Sequence, residues 1–165
     1  MLFHGINYHL GHKNANTAKI ERIFAPVEVI PISYSAAHAW IKERRGEIKP
    51  PAGKHFSVAL VNDAGEILAA VILGKPDAPG NHFLHDGRTL EAVAAFTCEN
   101  TDGAGIYHAA ARAGYALGYK RIVTNTGAGD ERTAEALRIA GYGKAGCDQT
   151  RERVRWIKEK EPKKR

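Results

Sequence analysis

The chain predicts an α+β domain built on a central mixed, mostly antiparallel sheet flanked by helices. Three observations predict it. Two apolar runs, Phe56–Val61 and Ile67–Leu73, are separated by Asn62-Asp63-Ala64-Gly65, a composition suited to a hairpin turn. A third apolar run, Leu90–Cys98, leads to a stretch of different period, in which Ile106, Ala110, Ala113 and Leu117 lie four, three and four residues apart on one side of a helix. Arg121–Asn125 then has room only for a strand, and strand–helix–strand order lays it parallel to Leu90–Cys98 through a right-handed crossover.

Taken from the start, residues 1–25 hold His4, His9 and His12 without the spacing of a helical metal pair, so they read as an arm or added helix and no metal site is expected. Val27–Ile32 is a short strand. Ser33 or Ser35 can cap a helix whose apolar side is Ala37, Trp40 and Ile41, and the cluster Lys42–Lys49 with Pro50-Pro51 stops it. After the hairpin, Lys75–Arg88 is a polar loop, and Leu90–Cys98 pairs with the strand before it. Gly118 ends the second helix. Glu131–Ala140 is a third helix, with Ala134, Leu137 and Ala140 inward and Gly141 closing it. Val154 and Trp156 alternate with Arg153 and Arg155 in a last strand. The organisation expected is an arm over 1–25, one domain over 26–157 and a basic tail over 158–165.

Bulk properties narrow the class without naming a function. A chain of 165 residues, 44% hydrophobic and 25% charged, has the mix of a single globular domain. No run approaches the roughly 20 apolar residues that span a bilayer, and the first residues lack the order of a secretory signal, so a cytoplasmic protein without membrane partners is expected. Cys98 and Cys147 match no zinc or redox spacing and read as buried thiols. A net charge of +6 favours an anionic partner, which a phosphorylated cofactor or a nucleic acid would equally satisfy. Part of that charge is the tail Lys158–Arg165, with five positive and two negative residues, a pattern usual for a solvated terminus.

The stretch that carries chemistry runs from Leu90 to Gly127. A strand delivers the chain to Asn100-Thr101-Asp102-Gly103-Ala104-Gly105, where two glycines allow a tight turn and a close approach of backbone to ligand. A helix begins at once, so unpaired N–H groups and the positive end of its dipole face outward, a seat for pyrophosphate. The plain alternative is a strand-to-helix connection. With a hairpin before it and another helix after it, this segment resembles the GNAT superfamily, whose signature Arg/Gln-x-x-Gly-x-Gly/Ala stands between the fourth core strand and the next helix. Asn100-x-x-Gly103-x-Gly105 fits that signature in frame.

The resemblance covers about residues 27–157 in element order and is sharp over Leu90–Gly141. It implies a GNAT-like fold and an acyl-CoA-dependent N-acyltransferase, with acetyl-CoA or another acyl-CoA as co-substrate and direct attack by an amine acceptor. It also implies that backbone groups of Ala95, Phe96 and Thr97 run beside the pantetheine arm. Asn100, Thr101, Asp102, Gly103, Ala104 and Gly105 would hold the pyrophosphate. Asn125 would lie near the splay between the parallel strands, and Ala128–Thr133 would flank the arm from the other side. Two positions depart from the family. Asn100 replaces Arg or Gln, leaving Arg112, Lys120 or Arg132 to supply charge, and Leu137 stands where the family's acid tyrosine is often found.

Acyl transfer to an amine needs a deprotonated nucleophile, a polarised carbonyl and a stabilised thiolate. Glu91, near the start of the fourth strand, is the candidate base, since some relatives use a carboxylate there; a strand-edge partner for Arg88 or Arg121 is the alternative. A backbone N–H near Ala95 or Phe96 is the polarising group implied by the family. Tyr107 and Tyr115 are candidate acids by chemistry, with packing as the alternative. His82, His85 and Asp86 cluster in the loop before Glu91, where a histidine near pH 6.5 could serve as a base. His38 and Trp40 sit on the first helix, in a region that shapes acceptor pockets in the superfamily. The acceptor is an amine on a small molecule, a peptide or a nucleic acid, and the chain a monomer or homodimer. The stripe Arg151–Arg155 and the tail keep a nucleic-acid-base-modifying enzyme in view, and Asn100 with Leu137 keep a non-catalytic binding module in view.

Overall fold

The computed structural model describes residues 27–51, 53, 55–76, 86–148 and 152–162. Within them the elements are β1 (Glu28–Ile32), α1 (Tyr34–Arg45), β2 (Phe56–Val61), β3 (Ile67–Gly74), β4 (Thr89–Thr97), α2 (Gly103–Ala116), β5 (Arg121–Gly127), α3 (Glu131–Ile139), β6 (Gly143–Asp148) and β7 (Arg153–Glu159). The strands form one sheet in the order β1-β2-β3-β4-β5-β7-β6. Every pairing is antiparallel except β4 with β5. The α+β class and the parallel crossover are therefore as the sequence predicts, and the arm over 1–25 lies outside the described residues.

Alternation along β2 and β3 divides the core into two layers. Val58, Leu60, Val71 and Leu73 face α2 and α3, whereas Ala59, Ala70 and Ile72 face Ala37 and Ile41 of α1. Each fully buried Ile or Leu contributes about 1.5–3 kcal/mol, so both layers are needed to hold the sheet. Local signals set the helix ends. Ser33 Oγ accepts from the Ala36 N–H at 3.1 Å, and Asp102 and Asp130 cap α2 and α3 in the same manner.

Four details differ from the sequence expectation. First, α1 stops at Gly46, whose φ of 91° suits glycine and whose N–H bonds the Lys42 carbonyl, before the prolines are reached. Second, Leu117 is 61% exposed, because α2 ends at Ala116 and Leu117 is only its cap. Third, Cys147 is exposed and Cys98 half-buried, both free thiols. Fourth, β6 forms from the polar, glycine-bearing segment Gly143–Asp148 by main-chain pairing with β7, with no apolar alternation to announce it. The last strand also continues through Lys158 and Glu159, residues assigned above to the tail: the Tyr115 hydroxyl donates to the Lys158 carbonyl at 3.2 Å, and Lys158 Nζ donates to the Ala140 carbonyl.

The signature glycines are helical, not tight-turn, residues. A Cβ on Gly105 would stand 3.1 Å from Leu60 Cδ1, and one on Gly103 the same distance from Ala136 Cβ, so their smallness lets α2 close on the sheet and on α3. Gly105→Val is accordingly expected to lower stability to urea unfolding by about 1–3 kcal/mol through overpacking, before any ligand is added. Unchanged stability would place that glycine's constraint elsewhere.

Candidate functional site

The site begins where two parallel strands part. β4 and β5 pair from Thr89↔Arg121 to Ala92↔Thr124 and no further. Past that point β4 stays with β3 as far as Thr97↔Ala69, and β5 stays with β7 as far as Gly127↔Arg153. The cause is local to β4. Its register against β3 jumps from Ala92↔Leu73 to Ala94↔Ile72, leaving Val93 as an extra residue, a β-bulge. A bulge bends and twists its strand, so the two strands diverge just beyond it.

The bulge also decides which main-chain groups face the gap. The Cys98 N–H bonds the Leu68 carbonyl at 2.9 Å. By the alternation of an antiparallel ladder, Phe96 and Ala94 then turn their N–H and C=O toward β3, while Ala95 and Thr97 turn theirs toward the splay. Arg45, the last residue of α1, agrees with that parity: its Nη1 donates to the Ala95 carbonyl at 3.3 Å.

Two cavities meet at the splay. One, of 330 Å³, lies on the helix side, with Ala95, Thr97, Gly103, Tyr107, Thr133 and Ala136 in its wall. The other, of 510 Å³, takes in Glu91, Ala128, Gly129, Glu152 and Arg153. They share Arg45, Ala92, Val93, Asn125, Thr126 and Gly127. The two cavities thus adjoin where the strands part, with six residues as a common wall.

Several residues named from sequence converge here. Glu91 Oε1 accepts from Asn125 Nδ2 at 2.8 Å, and Asn125 Oδ1 accepts from Arg155 Nε at 3.4 Å, so the carboxylate is oriented from across β5. Arg121, considered above as a partner for Glu91, reaches Asp86 and, through Nε at 3.2 Å, Thr89 Oγ1. The Arg88 backbone N–H on Asp86, together with Arg121, holds that carboxyl below the usual range despite its partial desolvation. Asp86 is thus a strand-start tie. His82 and His85 lie outside the described residues. Trp40 is half-buried against Phe96, ring centroids 5.7 Å apart, with Arg44 stacked on it.

Tyr107 lines the helix-side chamber. It is buried, packed edge-on to Tyr142 at 6.0 Å, and burial pushes its hydroxyl up to about 12. At neutral pH it is an O–H donor. Leu137, at the position of the family's tyrosine, is fully buried in the core.

The phosphate end departs from the expectation of open N–H groups. Asp102 Oδ1 accepts the Ala104 N–H at 2.9 Å, the Asp102 carbonyl takes the Gly105 N–H at 3.3 Å, and the Thr101 N–H bonds the Cys98 carbonyl at 3.0 Å. A carboxylate cap therefore stands at the helix end where an anion was expected, and Asn100, Thr101, Asp102 and Ala104 line neither chamber. Of the three basic residues proposed to supplement Asn100, Arg132 reaches the site: it lines the helix-side chamber and its Nη2 donates to the Cys98 carbonyl at 3.0 Å. Arg112 and Lys120 line neither chamber. Sequence reasoning missed the Val93 bulge and Arg45. No residue type signals the bulge, whereas Arg45 was readable as a basic residue closing the first helix.

This architecture is the GNAT fold. The GNAT domain of S. lividans PAT superposes with a TM-score of 0.59 at 14% identity, over 81% of this chain and 90% of its own. An IAA acetyltransferase from Bacillus cereus gives 0.59 at 13%, over 81% and 99%. A ribosomal-protein-S5-alanine acetyltransferase from Vibrio fischeri gives 0.51 at 14%, over 81% and 92%. No protein-family model matches the chain, and no curated protein matches it in sequence. No helix among the described residues is long and apolar enough to cross a membrane.

The buried tyrosines make a pH prediction. Burial pushes Tyr107 and Tyr115 up to about 12, and raises Tyr142 as well. Raised phenols stay protonated in the folded chain after the unfolded chain has lost those protons near pH 10. Unfolding free energy should therefore be unaffected by these groups below pH 10 and fall between 10 and 12, as read from urea titrations at stepped pH. Constant stability to pH 12 would contradict the burial of these rings.

Proposed function

We propose that the chain transfers an acyl group from an acyl-CoA, acetyl-CoA first among them, to an amine acceptor. The observation that carries this is the gap between β4 and β5 with two adjoining cavities, of which the helix-side one would take the donor and the larger one the acceptor. The donor would supply an activated acyl carbon on a thioester. Pantetheine is an extended amide chain, and the N–H of Ala95 with the N–H and C=O of Thr97, which face the gap, can pair with it as a further strand would. Arg132 adds positive charge toward the phosphate end.

Glu91 stands in the wall of the larger chamber, held by Asn125, a residue that both chambers share, and there it can take a proton from an acceptor ammonium. Tyr107, protonated across the working pH range, offers its O–H to the departing sulfur in place of the tyrosine that Leu137 does not provide. Holding both reactants in adjoining cavities supplies proximity, so no covalent enzyme intermediate is required. A non-catalytic binding module is the second reading, favoured by the Asp102 carboxylate at the start of α2.

Two substitutions test the assignment. Glu91→Gln keeps an oxygen for Asn125 and removes the charge. It should lower turnover by roughly 10²–10⁴-fold with little change in acetyl-CoA affinity, and raising the pH should restore part of the rate. Wild-type turnover at every pH would remove Glu91 from the chemistry. Asp102→Asn keeps a capping oxygen but deletes the like charge beside the phosphates. Calorimetry with acetyl-CoA should show tighter binding for this variant than for the wild type. Unchanged affinity would mean that the anion does not approach this helix end, and weaker binding that the Asp102 carboxylate itself supports the ligand.

A further inference from the structure

The chamber on the far side of the splay carries both signs of charge, and the proposed transfer does not explain that. Its wall includes Arg45 and Arg153 together with Glu91 and Glu152, in a volume of 510 Å³, within the range of small-molecule clefts, roughly 300–1,000 Å³. Both arginines border the splay, Arg45 by a side-chain hydrogen bond and Arg153 by the register of its strand. Arg45 Nη1 sits on the Ala95 carbonyl at 3.3 Å, which brings its guanidinium to the splay and engages one of its five N–H donors. Arg153 opens β7 directly opposite Gly127. Glu152, just before it, is pinned by its carbonyl, which accepts the Ala128 N–H at 2.8 Å, and has a φ of 48°, a region that a side chain enters at some cost.

A mixed rim discriminates between acceptor classes. A polyamine or a lysine-rich peptide would bring positive charge against Arg45 and Arg153. A purely anionic acceptor would meet Glu91 and Glu152. A ligand satisfies the chamber when it carries an ammonium and a carboxylate a few bonds apart, because guanidinium forks match a carboxylate in plane and Glu91 lines the same chamber beside Asn125. Resting on the acyl-transfer reading above, we infer that the acceptor is a small amino carboxylate, an amino acid or close analogue. Its ammonium is directed to Glu91 and its carboxylate to Arg45 and Arg153.

The transfer then balances. The ammonium gives one proton to Glu91, and the nitrogen forms the bond to the acyl carbon while the carbon–sulfur bond breaks. The nitrogen loses a second proton. One of the two protons ends on the CoA sulfur, the other in water, leaving an N-acylamino acid and free CoA.

The test uses the full chain. Thiol release from acetyl-CoA is followed with the common L-amino acids, their methyl esters and spermidine, and each acceptor is also titrated by thermal shift without acetyl-CoA. Some amino acids should be acetylated and should raise the melting temperature, with their esters poorer by roughly tenfold or more. Arg45→Met and Arg153→Met should raise KM for the amino acid by roughly 10–100-fold, the worth of a charge-assisted hydrogen bond, and lower kcat/KM for the amino acid by roughly tenfold more than for its ester. Arg→Lys at either position should restore part of the loss.

Esters or spermidine matching the amino acids, or arginine variants damaging ester and acid alike, would overturn the assignment. If calorimetry shows acetyl-CoA binding but no amino acid is acetylated or shifts the melting temperature, the acceptor assignment falls and the acyl-transfer reading stands. If acetyl-CoA does not bind, the acyl-transfer reading falls, and a thermal shift by amino acids that is lost in Arg45→Met would still support the ligand class.

Discussion

Main-chain hydrogen bonding forces a choice on β4 beyond Ala92. The strand can follow β3 or β5, and the extra residue at Val93 settles the matter in favour of β3. Unanswered peptide groups in a dry interior each cost about 1–3 kcal/mol, so a gap of this kind persists only where something meets them. Here α1 contributes Arg45 to the Ala95 carbonyl, and α3 contributes Arg132 to the Cys98 carbonyl. The remaining length of the gap faces the chambers. On the other side β5 is held open by its full pairing with β7, reinforced where the Trp156 indole donates to Thr126 Oγ1 at 3.0 Å. Without β7 inserted ahead of β6, β5 would lack the outer neighbour that lets it leave β4.

Charge follows the same geometry. Arg45, Arg132, Arg153 and Arg155 all stand on elements that end at or border the splay. Carboxylates stand among them, Glu91 and Glu152 in the larger chamber and Asp130 in the helix-side one. The walls of the two cavities therefore carry both signs of charge, which the whole-chain value of +6 does not convey.

How much was legible in the sequence divides along a physical line. Features written in side-chain pattern were readable: the hairpin, from Asn62 to Gly65; the helix period after Gly103; the alternation of Val154 and Trp156. Asn125 was placed near the splay by resemblance and Glu91 near the start of the fourth strand, and the two prove to touch. Features written in backbone alone were not readable. β6 has no apolar rhythm, because pairing with β7 and not burial makes it a strand. The bulge at Val93 lies within Leu90–Thr97, where Ala and Val on both faces leave no pattern for an inserted residue to interrupt. The capping role of Asp102 was readable in principle from Asp-Gly-Ala at a helix start, yet the glycines drew the interpretation toward an open turn.

The groups that Ala95 and Thr97 turn toward the gap are peptide groups, and every residue type but proline carries both donor and acceptor. A binding surface composed of such groups survives nearly any exchange of the side chains attached to it, provided the strand keeps its bulge and its partner. Selection then acts on spacing, not on identity. A sequence built this way can drift far from its relatives while its ligand groove stays chemically the same. Shape comparison at 14% identity can therefore find a shared fold that residue-by-residue matching does not.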